Sequence, residues 1–210
     1  FLGVMFVALN TAVKGKGLLH QINTSKSKHV IVENLFFDEV NNLKNTYKLD
    51  VEILNCGELK NKELVKESEV TFGKLSDNVC TMFTSGTSGP SKGVMMPNAH
   101  CVLFAIGTIE NYELKHDHIF YISLPLFHAN GLFMQLLACI ITGAKAIIRK
   151  RFSASNWLKD VRKHDVTHTN MLGAIAAFVV AQPTSEHDKD HKLVVIGSAP
   201  LPSEPERIFR

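Results

Sequence analysis

Paired cysteines are missing from this chain. Its four, Cys56, Cys80, Cys101 and Cys139, stand singly in apolar stretches without C-x-x-C spacing. That pattern excludes a disulfide framework and predicts buried free thiols in a reducing cytoplasm. Long hydrophobic runs are also missing. The longest, Leu132 to Ala144, is interrupted by Gln135, Thr142 and Gly143 and falls short of the ~20 residues that span a bilayer, so it reads as a buried helix. Charge of one sign is scarce: the net charge is +3, and the one dense basic run, Lys145 to Arg151, encloses two isoleucines. It reads as a strand end with a solvated rim, not a nucleic-acid face. Proline is sparse at seven residues, while 45% of the chain is apolar and 20% charged, which argues against disorder and for a globular fold. The histidine pairs 116/118, 164/168 and 187/191 have no H-E-x-x-H or cysteine partner. No metal is assigned to them, and they read as surface histidines.

With 210 residues the chain can bury one large core or two small ones. The opening run Phe1 to Leu9 has no initiator methionine, basic segment or cleavage site, and is expected to be a cut end rather than a signal peptide. From Lys14 onward short β-branched segments alternate with amphipathic ones, which predicts repeated β-α units and mostly parallel sheets, an α/β fold. The strand candidates are His29 to Glu33, Asp50 to Asn55, Val79 to Thr84, His118 to Pro125, Ala144 to Arg149, Val166 to Asn170 and Lys192 to Gly197. Helices are expected over Asn98 to Tyr112, from a Ser153 cap through Trp157, Leu158 and Val161, over Leu172 to Gln182, and from about Pro202 and Ser203 to the end. A sub-domain boundary, if there is one, is expected within the polar stretch Glu58 to Asp77.

The chemistry concentrates in Thr84-Ser85-Gly86-Thr87-Ser88-Gly89-Pro90-Ser91-Lys92-Gly93, between the apolar runs Val79 to Phe83 and Val94 to Met96. Glycines at 86, 89 and 93 let backbone amides turn inward, hydroxyls add short-range donors, and Lys92 adds a positive charge. That inventory suits a polyphosphate, whereas a plain Gly/Ser linker is seldom held so closely between strand-like runs. A Walker A loop is excluded, because Ser91 precedes the lysine and Gly93 follows it.

This segment resembles the phosphate-binding motif T-S-G-T-T-G-x-P-K-G of the adenylate-forming enzymes: the acyl-CoA synthetases, nonribosomal peptide synthetase adenylation domains and luciferases. It departs by carrying Ser88 for the second threonine and the order Pro90-Ser91-Lys92, neither of which removes a phosphate donor. Further segments are similar in the same order. They are Leu9-Asn10 with Gly17 to Asn23, Pro125-Leu126-Phe127-His128-Ala129-Asn130-Gly131, Arg151-Phe152-Ser153, Val166-Thr167-His168 and Gly197-Ser198-Ala199-Pro200-Leu201.

The resemblance implies an incomplete N-terminal, AMP-binding domain over 1–210, lacking the later Y-G-x-T-E motif, the ribose-binding aspartate and the C-terminal domain. It implies a ligase that makes an acyl-adenylate from ATP and a small carboxylic acid, then a thioester with coenzyme A as co-substrate. Fatty acids and carnitine-like acids are both open as substrates. Magnesium would be carried by the phosphates. Thr84, Ser85, Gly86, Thr87, Ser88, Gly89 and Lys92 would hold the phosphates, and Gly197, Ser198, Ala199 and Pro200 the adenine, mainly through backbone. Phe127, His128 and Gly173 would lie by the acyl group, with Lys92 and His128 supporting the chemistry. No nucleic acid and no membrane span are implied, and a homo-oligomer is left open. The 210 residues alone are expected to complete neither half-reaction. Two other readings stand beside this one: a non-catalytic nucleotide-binding protein, and an NTPase or phosphotransferase using the glycine-rich loop.

Overall fold

A computed structural model describes residues 4–59, 73–85 and 89–200. Its contacts divide the chain into two compact units, Phe1–Asn98 and Ala99–Arg210. Most of the stretch 58–77 and the helix expected from Pro202 lie outside the described residues.

The first unit contains β1 (Phe6–Ala8), α1 (Gly15–Ser25), β2 (His29–Val32), α2 (Asn34–Tyr47), β3 (Glu52–Asn55), a single turn α3 (Cys56–Leu59), β4 (Asn78–Phe83) and β5 (Gly93–Pro97). Strands β2 and β3 pair in parallel. Along β2 the side chains alternate, His29 and Ile31 outward, Val30 and Val32 inward, because successive residues of a strand face opposite sides. The inward set joins Leu18 and Ile22 of α1, Val40 and Leu43 of α2, and Val51 in one core. A second sheet runs in the order β1-β4-β5, with β1 parallel to β4 and β4 antiparallel to β5. The glycine-rich loop is therefore the connection of a hairpin.

The second unit holds α4 (Asn98–Tyr112), β6 (Ile119–Ile122), a π-helix (Asn130–Leu137) continued by α5 (Ala138–Thr142), β7 (Lys145–Ile148), α6 (Ala154–Lys163), β8 (His168–Met171), α7 (Gly173–Val180) and β9 (Val195–Ser198). Its four strands are all parallel, in the order β7-β6-β8-β9. Both faces are covered, which is why β6 is continuously apolar rather than alternating. Phe120 and Ile122 pack with Ala105, Leu114, Ala138 and Cys139 on one side. Tyr121 packs with Trp157, Val161, Met171 and Ala176 on the other.

Three expectations need correction. Ser153 takes the N-cap position of α6 but makes no capping bond; its hydroxyl meets Ser155 Oγ at 3.4 Å instead. Cys56 is exposed while Cys80, Cys101 and Cys139 are buried, because Cys56 starts a turn that leaves the sheet. His168 is not a surface histidine but is 1% exposed, since its strand is covered on both faces. The basic run behaves as expected only in part: Arg149 turns back to Asp160 Oδ2 at 3.2 Å, and the same carboxylate oxygen accepts the Tyr121 hydroxyl at 3.1 Å. Among the described residues no helix is long and apolar enough to cross a membrane.

Candidate nucleotide and acyl site

The phosphate-loop candidates divide between described and undescribed residues. Gly86, Thr87 and Ser88 lie outside the described set, whereas Thr84, Ser85, Gly89 and Lys92 lie within it. The loop is clamped at its base. Phe83 pairs with Gly93, the Thr84 amide donates to the Lys92 carbonyl at 3.0 Å, and the Lys92 amide donates to Thr84 Oγ1 at 3.1 Å. Gly89 has φ +146°, a conformation side chains resist.

Helix α1 fastens the returning limb. His20 Nε2 donates to the Ser91 carbonyl at 2.8 Å, and Gln21 Nε2 to Ser91 Oγ at 3.4 Å. A carbonyl only accepts, so His20 carries its ring proton on Nε2. Lys92 itself is exposed, and no carboxylate among the described residues pairs with it. The hairpin thus fixes the backbone of residue 92 and leaves its ammonium uncompensated, which is the electrostatic condition for holding an anion.

In the second unit the other candidates gather at the carboxyl ends of parallel strands, where open α/β sheets place ligands. Phe127 and His128 sit in the turn after β6 with ring centroids 4.5 Å apart, and His128 is exposed. The turn is closed by the His128 amide donating to the Pro125 carbonyl at 3.2 Å. Gly131 is required there, since a Cβ would stand 2.5 Å from the Pro125 oxygen. Gly173 is buried at the start of α7, but Ala174 and Ala177 are exposed, so that helix is less of a core element than its composition suggests.

Gly197 and Ser198 close β9, and Ala199 and Pro200 follow across a cis peptide. Gly197 admits no side chain, because a Cβ would stand 1.6 Å from the Tyr112 hydroxyl.

The residues that sequence reasoning missed form a polar cluster between these two segments. Asn170 Nδ2 donates to the Tyr112 hydroxyl at 2.8 Å, Asn130 Nδ2 approaches Asn170 Oδ1 at 3.5 Å, and Gln135 Nε2 donates to Asn130 Oδ1 at 2.9 Å. Beside them His168 Nε2 donates to the Tyr112 carbonyl at 3.0 Å. Its ring stacks on His118 with centroids 4.4 Å apart. Burial holds the His168 pKa below the usual imidazole range; the Tyr112 carbonyl opposes that shift and the charge of His118 adds to it. Burial also raises the Tyr112 phenol, with the Asn170 bond pulling the other way. The signal available in the sequence was Gln135, a polar residue interrupting an apolar helix.

Comparison with known proteins identifies the family. The AMP-binding enzyme family matches residues 1–210. The medium/long-chain-fatty-acid–CoA ligase FadD17 of Mycobacterium marinum is 26% identical over 98% of this chain and 40% of its own length. The 2-succinylbenzoate–CoA ligase of Bacillus licheniformis is 30% identical over 96% of this chain and 41% of its own. Among solved structures, O-succinylbenzoate coenzyme A synthetase (MenE) from Bacillus subtilis, in complex with ATP and magnesium ion, superposes with a TM-score of 0.78 at 25% identity, over 94% of this chain and 39% of that one. The chain belongs to the AMP-binding enzyme family, and it spans about two-fifths of the length of these relatives.

Proposed function

We propose that the protein containing this chain is an ATP-dependent carboxylate–CoA ligase, which activates an acid as its acyl-adenylate and passes the acyl group to the thiol of coenzyme A. The observation that carries the reading is the hairpin base clamped between Thr84 and Lys92, whose ammonium pairs with no carboxylate among the described residues, in a chain that matches the AMP-binding family throughout. The fit to a nucleotide triphosphate is chemical: an exposed ammonium, nearby hydroxyls and a glycine-rich backbone are donors for phosphate oxygens. Lys92 would neutralise charge gathering on the departing pyrophosphate, and Thr84 would hold the loop's base closed around it. Magnesium would arrive on the phosphates and supply further charge neutralisation there.

The segment from Phe127 to Gly131 would border the acyl group, with exposed His128 orienting the carboxylate, and buried Gly173 would back the same region. Gly197 to Pro200 would meet the adenine. Fatty acids and carnitine-type acids both fit this reading. A cytosolic setting is supported by cysteines without framework spacing, three of them buried. The test is carboxylate-dependent ATP/pyrophosphate exchange by the full-length gene product across a panel of acids, with these 210 residues as a control. Exchange with one acid class, and none from the control, is the expected result. ATP hydrolysis that ignores every acid would favour an NTPase and overturn the reading.

A further inference from the structure

The polar cluster of the second unit has a geometry that packing alone does not require. Gln135 is 0% exposed and its Oε1 has no hydrogen-bond partner among the described residues, although it stands in an otherwise apolar helix. Leaving a polar atom so enclosed is unfavourable. The π-helix explains how Gln135 reaches Asn130: residues five apart in an α-helix point about 140° away from each other, whereas the wider π turn brings i and i+5 together. Such insertions recur at functional sites.

The chain Gln135–Asn130–Asn170–Tyr112 therefore runs from an enclosed anchor through half-buried Asn130 and buried Asn170 to half-buried Tyr112. Asn130 follows directly on the turn bearing His128, and Asn170 pairs in register with Gly197. As the bonds run, the accessible side is left with donors: the second Nδ2 hydrogen of Asn130 and the hydroxyl proton of Tyr112, whose oxygen accepts from Asn170.

We propose that this chain of amides sets substrate class: Asn130 donates to an oxygen on the acyl group beyond its carboxylate, so the preferred acid carries a keto, hydroxyl or second carboxyl group rather than a plain hydrocarbon tail. The inference rests on the ligase reading above. Gln135 acts through Asn130 as a positioning residue, since its own polar end is closed to ligand.

The experiment is ATP/pyrophosphate exchange by the full-length gene product, comparing hydroxy, keto and dicarboxylic acids with unsubstituted acids of matched length. The unaltered protein is expected to show the lower KM for the oxygen-bearing series. Asn130→Ala should raise that KM roughly tenfold, as for the loss of one hydrogen bond, and by a clearly larger factor than it changes the KM of the unsubstituted acids. Gln135→Leu should move the same KM in the same direction. Asn130→Asp, which keeps an acceptor for Gln135 but turns an oxygen toward the ligand, guards against a folding defect and should also discriminate against the oxygen-bearing acids. A preference for unsubstituted chains in the unaltered protein, or variants that shift both series equally, overturns this inference alone. No exchange with any acid overturns the ligase reading and this inference with it.

Discussion

Single residues in this protein are constrained by what surrounds them on the backbone scale. Gly131 is the sharpest case. Its missing Cβ is what lets the turn after β6 close on Pro125, whose carbonyl oxygen would stand 2.5 Å from any side chain. Gly131→Ala is expected to cost about 1–3 kcal/mol, the usual penalty for overpacking, and to appear as a lowered urea midpoint with an unchanged m-value; an unaltered midpoint would show that the turn can open freely. Lys92 is constrained by charge instead. Its backbone is pinned by Thr84 on both sides, so the side chain can be removed without unfastening the hairpin. Lys92→Ala in the full-length product should weaken ATP use by about 1.5–3 kcal/mol, the worth of one charge-assisted hydrogen bond. Unchanged KM and kcat for ATP would remove this residue from the phosphate site. The loop motif was legible because glycine, hydroxyl and lysine are chemically unambiguous. The requirement for glycine at 197 was not, because it depends on Tyr112, 85 residues earlier in the chain.

At the scale of elements, strand β8 combines two roles that the sequence kept separate. Its residues are all buried, yet His168, Thr169 and Asn170 are polar and are satisfied by neighbours on β6 and α4. His168 makes the element pH-sensitive. Burial lowers its folded pKa, so as pH falls below the ordinary imidazole value of about 6.5 the unfolded chain takes up a proton that the folded chain still refuses. Stability is then lost on acidification through that window and is unaffected above it. Thermal midpoints measured between about pH 7.5 and 5 should decline, and His168→Gln should flatten the decline whatever it does to the midpoint at neutral pH. A slope identical to that of the unaltered protein would assign the acid sensitivity elsewhere. The elements themselves were largely predictable: β2, β3, β4, β7 and β8 each fall within a residue or two of an expected strand, β6 and β9 are three residues shorter at one end than expected, and α4 spans Asn98–Tyr112 as expected. The π-helix was not, because an apolar run fixes burial but does not distinguish a turn of 3.6 residues from a wider one.

For the molecule as a whole, the proposed chemistry should depend on magnesium. Among the described residues no group of three His, Cys, Asp or Glu side chains could hold an ion, and the proposed magnesium comes with ATP. EDTA should therefore abolish ATP/pyrophosphate exchange in the full-length product; exchange that persists in EDTA would remove magnesium from the proposed step. The alternation of β-branched and amphipathic segments determined the α/β class and most of the elements, and the phosphate motif with the further segments in the same order determined the family, because periodicity and residue chemistry are properties of neighbours in sequence. Only the tertiary structure decided that β4 and β5 form a hairpin, that His168 is buried and that Gln135, Asn130, Asn170 and Tyr112 make one chain. Those features depend on contacts between residues far apart along the polypeptide, and distance along a chain carries no information about which side chains will meet until strand register and helix pitch are set.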